Sequence, residues 1–155
     1  MIVLFMTSIS AAVTTSGWYY LTDLEVEDAP MFKSDGRKWD AIAAAADLQL
    51  ILTSNLGDGT HTNFTTNVLE EAGTSGTWDI REDIVIYCSE ELEGFCLLFA
   101  LRDHDNRNHD EMDSIWVDAA DLTTQETNEI TLERGTIVRF NLTLIEAKPD
   151  GLFWD

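Results

Sequence analysis

Phe95-Cys-Leu-Leu-Phe-Ala-Leu101, followed by Arg102-Asp-His-Asp-Asn-Arg-Asn-His-Asp-Glu-Met-Asp113, decides how the chain is read. The first seven residues are apolar on both faces of an extended backbone, so they are expected to form a strand central in its sheet. The next twelve carry Asp103, Asp105, Asp110, Glu111 and Asp113. Crowded carboxylates raise one another's pKa and repel unless something neutralises them. The simplest neutraliser is a hard cation that takes six to eight oxygens. Asp103-X-Asp105 sets two carboxylates on one side of an extended backbone, with His104 on the other, and Asp110 returns five residues later.

Outward from this stretch, alternation with a period of two runs through most of the chain. In Trp18–Asp28, Leu24 and Val26 alternate with Asp23, Glu25 and Glu27. Asp47–Asn55 and His61–Leu69 read as strands flanking the turn signal Leu56-Gly-Asp-Gly59. Ile80–Tyr87, Ser114–Val117, Glu129–Glu133 and Thr136–Ile145 complete a count of about eight strands, the spacing of an all-β, eight-stranded antiparallel sandwich. Trp39–Asp47, with its run of alanines, is the one helical candidate. Residues 1–17 are expected to be an N-terminal arm or degenerate export signal, 18–147 the sandwich, and 148–155 a tail. The apolar start lacks a basic n-region and is too short to span a bilayer.

Composition narrows the function. With 155 residues, five Trp and seven Phe, one domain with a substantial core is expected. A formal charge of -20 removes nucleic acid as a partner, because a phosphate backbone needs a cationic footprint. It also opposes unaided binding to an anionic membrane. Yet Lys33, Arg37, Lys38, Arg102 and Arg107, five of the nine basic residues, sit in or beside the acidic loops. Cys88 and Cys96 lie at the mouth of an expected hairpin, Asp83–Cys88 with Phe95–Arg102. In an oxidising compartment they can pair; without geometry they are read as two small buried hydrophobes. Such a compartment, or a membrane periphery, is the expected location.

A second acidic loop carries Asp40 and, seven residues on, Asp47 at the start of a strand. If the two loops meet, five carboxylates converge, and an oxygen-rich set suits calcium rather than zinc. It is not an EF-hand, since Arg107, Asn108 and Ser114 stand where that loop needs an oxygen ligand, Gly and Glu. Four stretches together resemble the C2 domain, a calcium-dependent lipid-binding β-sandwich. They are Leu24-Glu-Val-Glu-Asp-Ala-Pro30, Trp39-Asp40 through Asp47-Leu-Gln-Leu50, Thr77-Trp-Asp-Ile-Arg-Glu-Asp-Ile-Val-Ile86, and Leu101-Arg-Asp-His-Asp105 with Asp110-Glu-Met-Asp-Ser-Ile115. Coverage runs from about Trp18 to Ile145, in the manner of a divergent bacterial member.

The resemblance implies Asp40, Asp47, Asp103, Asp105 and Asp110 as calcium ligands. The family usually has Gly where Asp113 stands, and Glu111 or Asp113 is an alternative third ligand in the later loop. It also implies docking on phospholipid headgroups through the ion-binding loops. Phe32, Lys33, Arg37, Lys38, Trp39, Ile42 and Arg107 are the lipid-facing candidates. Trp39, Phe32 and Ile42 either insert into a bilayer interface or cover the loop base. The rival role is a protein-interaction or structural domain in which calcium only stiffens the loops. Trp78 and Trp116 are expected in the core. The histidines are expected to be solvated, and no catalytic signature is present, so an enzyme is not expected.

Overall fold

The computed structural model describes residues 16–39, 45–56, 60–80, 84–89, 95–104 and 109–146. Among these described residues nine strand segments run β1 Gly17–Glu27, β2 Leu48–Asn55, β3 His61–Thr65, β4 Gly76–Trp78, β5 Ile84–Cys88, β6 Leu97–His104, β7 His109–Val117, β8 Asn128–Thr131 and β9 Ile137–Ile145. One sheet has the order β4-β1-β9-β8, and the other β3-β2-β6-β7. β5 also pairs with β1, so β4 and β5 occupy successive stretches of one edge. The nine segments therefore fill eight strand positions, four in each sheet, and the eight-stranded antiparallel sandwich stands.

Alternation explains the interior. Leu21, Leu24 and Val26 of β1, Leu48, Leu50 and Leu52 of β2, and Val138, Phe140 and Leu142 of β9 all point inward and are buried. Burying each such side chain contributes about 1.5–3 kcal/mol. β6, apolar on both faces, is flanked by β2 and β7, as its composition predicts. Phe99 of β6 meets Phe140 of β9 with ring centroids 5.1 Å apart, so the two sheets touch through an aromatic pair. Trp78 is buried and donates its indole N–H to the Asn67 carbonyl at 2.7 Å.

Three expectations are corrected. β5 and β6 are not a hairpin: β5 joins β1 in one sheet and β6 joins β2 and β7 in the other. The Cys88–Cys96 pair is a disulfide, with Cα atoms 5.3 Å apart, and it therefore links the two sheets. Both cysteines are also buried, so the hydrophobe reading described their setting and missed their bond. The Ser54 hydroxyl adds a second link nearby, donating to the Tyr87 carbonyl and accepting its N–H, which ties β2 to β5. Trp116 is not core: it is 41% exposed and lies against exposed Phe95, centroids 5.8 Å apart. A register shift at Leu101/Arg102 turns both Met112 and Asp113 inward, so β7 does not follow simple alternation.

Most of the helical candidate Trp39–Asp47 lies outside the described residues, and its described ends are not helical. Among the described residues one 3-10 turn is present, Ala119–Asp121 after β7. The segments 1–15 and 147–155 also lie outside the described residues.

Candidate functional site

At one end of the second sheet the strands bring acids into register. Leu48 of β2 is the Cα partner of Asp103 in β6, and Asp103 is the partner of Asp110 in β7. Directly opposed residues of an antiparallel pair share a face, so Asp103 and Asp110 stand side by side. Asp47, one residue before Leu48, is adjacent: its amide donates to Asp103 Oδ1 at 3.1 Å, and its carbonyl accepts the His104 N–H at 2.8 Å. The strand ends at the bases of the two acidic loops thus adjoin. Asp40 and Asp105 lie outside the described residues.

The three described acids do different things. Asp103 is 1% exposed. Asp110 is partly exposed and ion-paired with the Lys33 ammonium. That bond raises the Lys33 pKa above the usual lysine range, and the nearby charge of Asp103 adds to the effect. Asp47 turns its carboxylate away, toward the turn that follows β3, where Oδ1 accepts the Glu71 N–H at 2.7 Å.

Lys33 is delivered by a small hairpin whose ends, Phe32 and Lys38, form a β-bridge. Its turn is closed by Lys33 N–H to the Arg37 carbonyl at 2.8 Å and Gly36 N–H to the Lys33 carbonyl at 2.9 Å. Gly36 sits at φ 81°, a backbone region that favours glycine. The Asp35 carboxylate accepts the Arg37 backbone N–H at 3.0 Å and its Nε–H at 2.6 Å. Those bonds hold the Asp35 pKa below the usual carboxylate range.

Arg134, in the turn between β8 and β9, ties the loops together. Its guanidinium donates to the Met112 carbonyl at 2.8 Å and the Phe32 carbonyl at 3.0 Å. It also lies 5.8 Å from the Trp39 ring centroid, while Lys33 Nζ is 5.4 Å from the same ring. Trp39 is buried and donates its indole N–H to the Pro30 carbonyl at 2.5 Å. Of its two expected roles it has the covering one, and its assignment as a lipid-facing residue is corrected.

Asp113 is not turned toward this site. It is 3% exposed, with Oδ1 accepting the amides of Ser114 at 2.9 Å and Arg134 at 2.8 Å, and Oδ2 accepting that of Thr136 at 3.1 Å. It fastens the β8–β9 turn to β7 and is corrected from alternative ligand to structural acid. Glu111 is exposed and accepts the Ser114 hydroxyl at 2.9 Å.

Among the other candidates, Phe32 is 45% exposed, and Arg37 and Lys38 are also exposed. Ile42 and Arg107 lie outside the described residues. The sequence reading missed Met31, 65% exposed beside Phe32, and Arg134. The signal for Met31 was an apolar pair between Pro30 and the polar run Lys33–Lys38. Arg134 gave none, because its partners are backbone carbonyls.

Among the described residues no group of three or more His, Cys, Asp or Glu is arranged to hold a metal. The donor chemistry nonetheless fits a hard cation. Asp103 and Asp110 offer carboxylate oxygens side by side, and the Lys33 ammonium already sits against one of them.

The solved structures place the fold. A structure described as that of a C2 domain matches with a TM-score of 0.51 and 14% identity, over 82% of this chain and 98% of that one. A calcium-bound structure of two C2 domains of extended-synaptotagmin 2 matches with a TM-score of 0.58 and 17% identity, over 88% of this chain and 47% of that one. Human GIVD cytosolic phospholipase A2, in complex with an inhibitor and terbium chloride, matches with a TM-score of 0.59 and 16% identity, over 88% of this chain. The chain spans only 18% of that enzyme's length. No family model matches the chain. The curated proteins yield no match. The fold is that of a C2-type β-sandwich. In such a sandwich this chain gathers its acids at the end of β6 and β7, under the loop that carries Lys33 and Trp39.

Proposed function

We propose that the chain is a non-catalytic C2-type module that binds calcium at the Asp103–Asp110 end and docks there on anionic phospholipid. The observation that carries the reading is the direct cross-strand pairing of Asp103 with Asp110 beside Asp47. Asp40 and Asp105 are the further ligands in this reading. Bound calcium would supply positive charge and coordination positions for phosphate oxygens. The chain's own part is to gather the carboxylates and to present an amphipathic edge around them. Met31 and Phe32 offer exposed apolar surface, and Arg37 and Lys38 offer positive charge for headgroups. The disulfide is in keeping with an oxidising compartment.

The likeness to a calcium-bound extended-synaptotagmin 2 structure is compatible with this reading, although at 17% identity it speaks for the fold alone. The charge of -20 favours the rival role, a protein-interaction or structural domain whose loops calcium only stiffens. Co-sedimentation with phosphatidylserine vesicles separates the two. Pelleting in calcium but not in chelator, lost in Asp103→Asn/Asp110→Asn, is expected. Calcium binding by calorimetry without any pelleting would transfer the chain to the rival role.

A further inference from the structure

We propose that Lys33 is a tethered counter-ion of the Asp103–Asp110 pair, which must leave before a free divalent cation takes the site, so that the chain's own lysine sets its calcium threshold. The proposal rests on the calcium reading above and adds a regulatory residue to it. Three observations carry it. The Lys33 ammonium is bonded to Asp110, which faces Asp103 across β6 and β7. The Lys33 side chain is only 26% exposed, so the ammonium is seated against the site rather than waving in solvent. Its backbone is pinned on both sides, by the bridge from Phe32 to Lys38 and by its bonds to Arg37 and Gly36, so the hairpin returns the side chain to the same place.

An ammonium and a divalent ion both need the Asp110 oxygens at contact distance, and as like charges they repel when both are close. Occupation is therefore exclusive. The vacated ammonium does not vanish: tethered to the hairpin with Arg37 and Lys38, it joins the exposed cationic groups at the tip. Ion arrival thus couples to a more positive rim, which suits an anionic surface. Trp39 reports the exchange, because Lys33 Nζ lies 5.4 Å from its ring centroid.

The test is calcium chloride calorimetry on the full chain, comparing it with Lys33→Met and with Lys33→Gln, which keeps a polar cover should the first fold poorly. Far-UV circular dichroism checks that each variant is folded. Both variants are expected to bind calcium about two- to fivefold more tightly than the parent, since they no longer forfeit an ion pair on binding. Calcium is also expected to change tryptophan emission in the parent, and to change it much less in Lys33→Met or Trp39→Phe. A variant that binds while the parent does not also supports the proposal. Equal affinities in all three chains overturn it and leave the calcium reading standing. No binding by any of them overturns the calcium reading itself, and the proposal with it.

Discussion

Replacing Asp113 separates a structural acid from a metal ligand. Its carboxylate accepts three backbone amides, from Ser114, Arg134 and Thr136. In Asp113→Ala, the Ser114 and Arg134 amides belong to residues that are not buried and can recruit water. Thr136 is 0% exposed and its amide cannot. A buried donor stripped of a charged acceptor costs about 2–3 kcal/mol, and the two amides that water can reach about 1 kcal/mol together. The expected loss is thus about 3–4 kcal/mol, or a Tm lower by about 10 °C for a domain of this size. Asp113→Asn keeps one oxygen but sets an amide nitrogen toward a donor, so about 2 kcal/mol is expected. Urea unfolding followed by circular dichroism, in chelator and again in calcium, measures both. If Asp113→Ala loses less than about 0.5 kcal/mol, or if the loss appears only with calcium present, the assignment of Asp113 to the β8–β9 turn is wrong.

Other consequences can be measured separately. Trp39→Ala is expected to destabilise the fold by about 3–5 kcal/mol in the absence of any membrane, as truncation of a core tryptophan does; an effect confined to vesicle binding would restore the insertion role. Removing the disulfide with Cys88→Ala/Cys96→Ala opens a closure of sequence separation 8 and should cost about 2.5 kcal/mol, read as a lower urea midpoint, with no further change on adding reductant to the variant. Asp35 has a depressed folded-state pKa, so its pairing with Arg37 is fully present above the unfolded aspartate pKa of about 3.9 and is lost as pH falls through the lower folded value. Carboxyl NMR should show the Asp35 midpoint moving upward in Arg37→Gln, and an unmoved midpoint would remove the pairing. Iodide should quench Trp116 and spare Trp78, which single-tryptophan variants can resolve.

The sandwich could be read from the chain because its evidence is local: Leu24/Val26 alternating with Asp23, Glu25 and Glu27, or the two-faced run of β6, needs no partner to be recognised. Sheet membership is not local. Cys88 and Cys96 are eight residues apart and look like the mouth of a hairpin, but β5 finds its ladder on β1, far away in sequence. Trp116 is apolar, but it lies between Ile115 and Val117, which face the core, so alternation turns it outward. At the site, Asp47 stands beside Asp103, two acids that the chain places at strand ends. The directions of the carboxylates are not legible in the chain: Asp47 turns to a Glu71 amide, Asp113 to the amides of a third loop, and Asp110 to a lysine. Backbone acceptors and donors carry no sequence signature, so Arg134 was invisible until the fold supplied its partners.

Arg134 also limits how this sandwich can be engineered. One guanidinium holds the carbonyls of Phe32 and Met112, while its own amide is held by Asp113. Two loops and strand β7, from three separate parts of the chain, therefore share a single keystone. Transplanting any one of them into another scaffold, or swapping in a foreign loop here, would strip the others of their support, so the three must travel together.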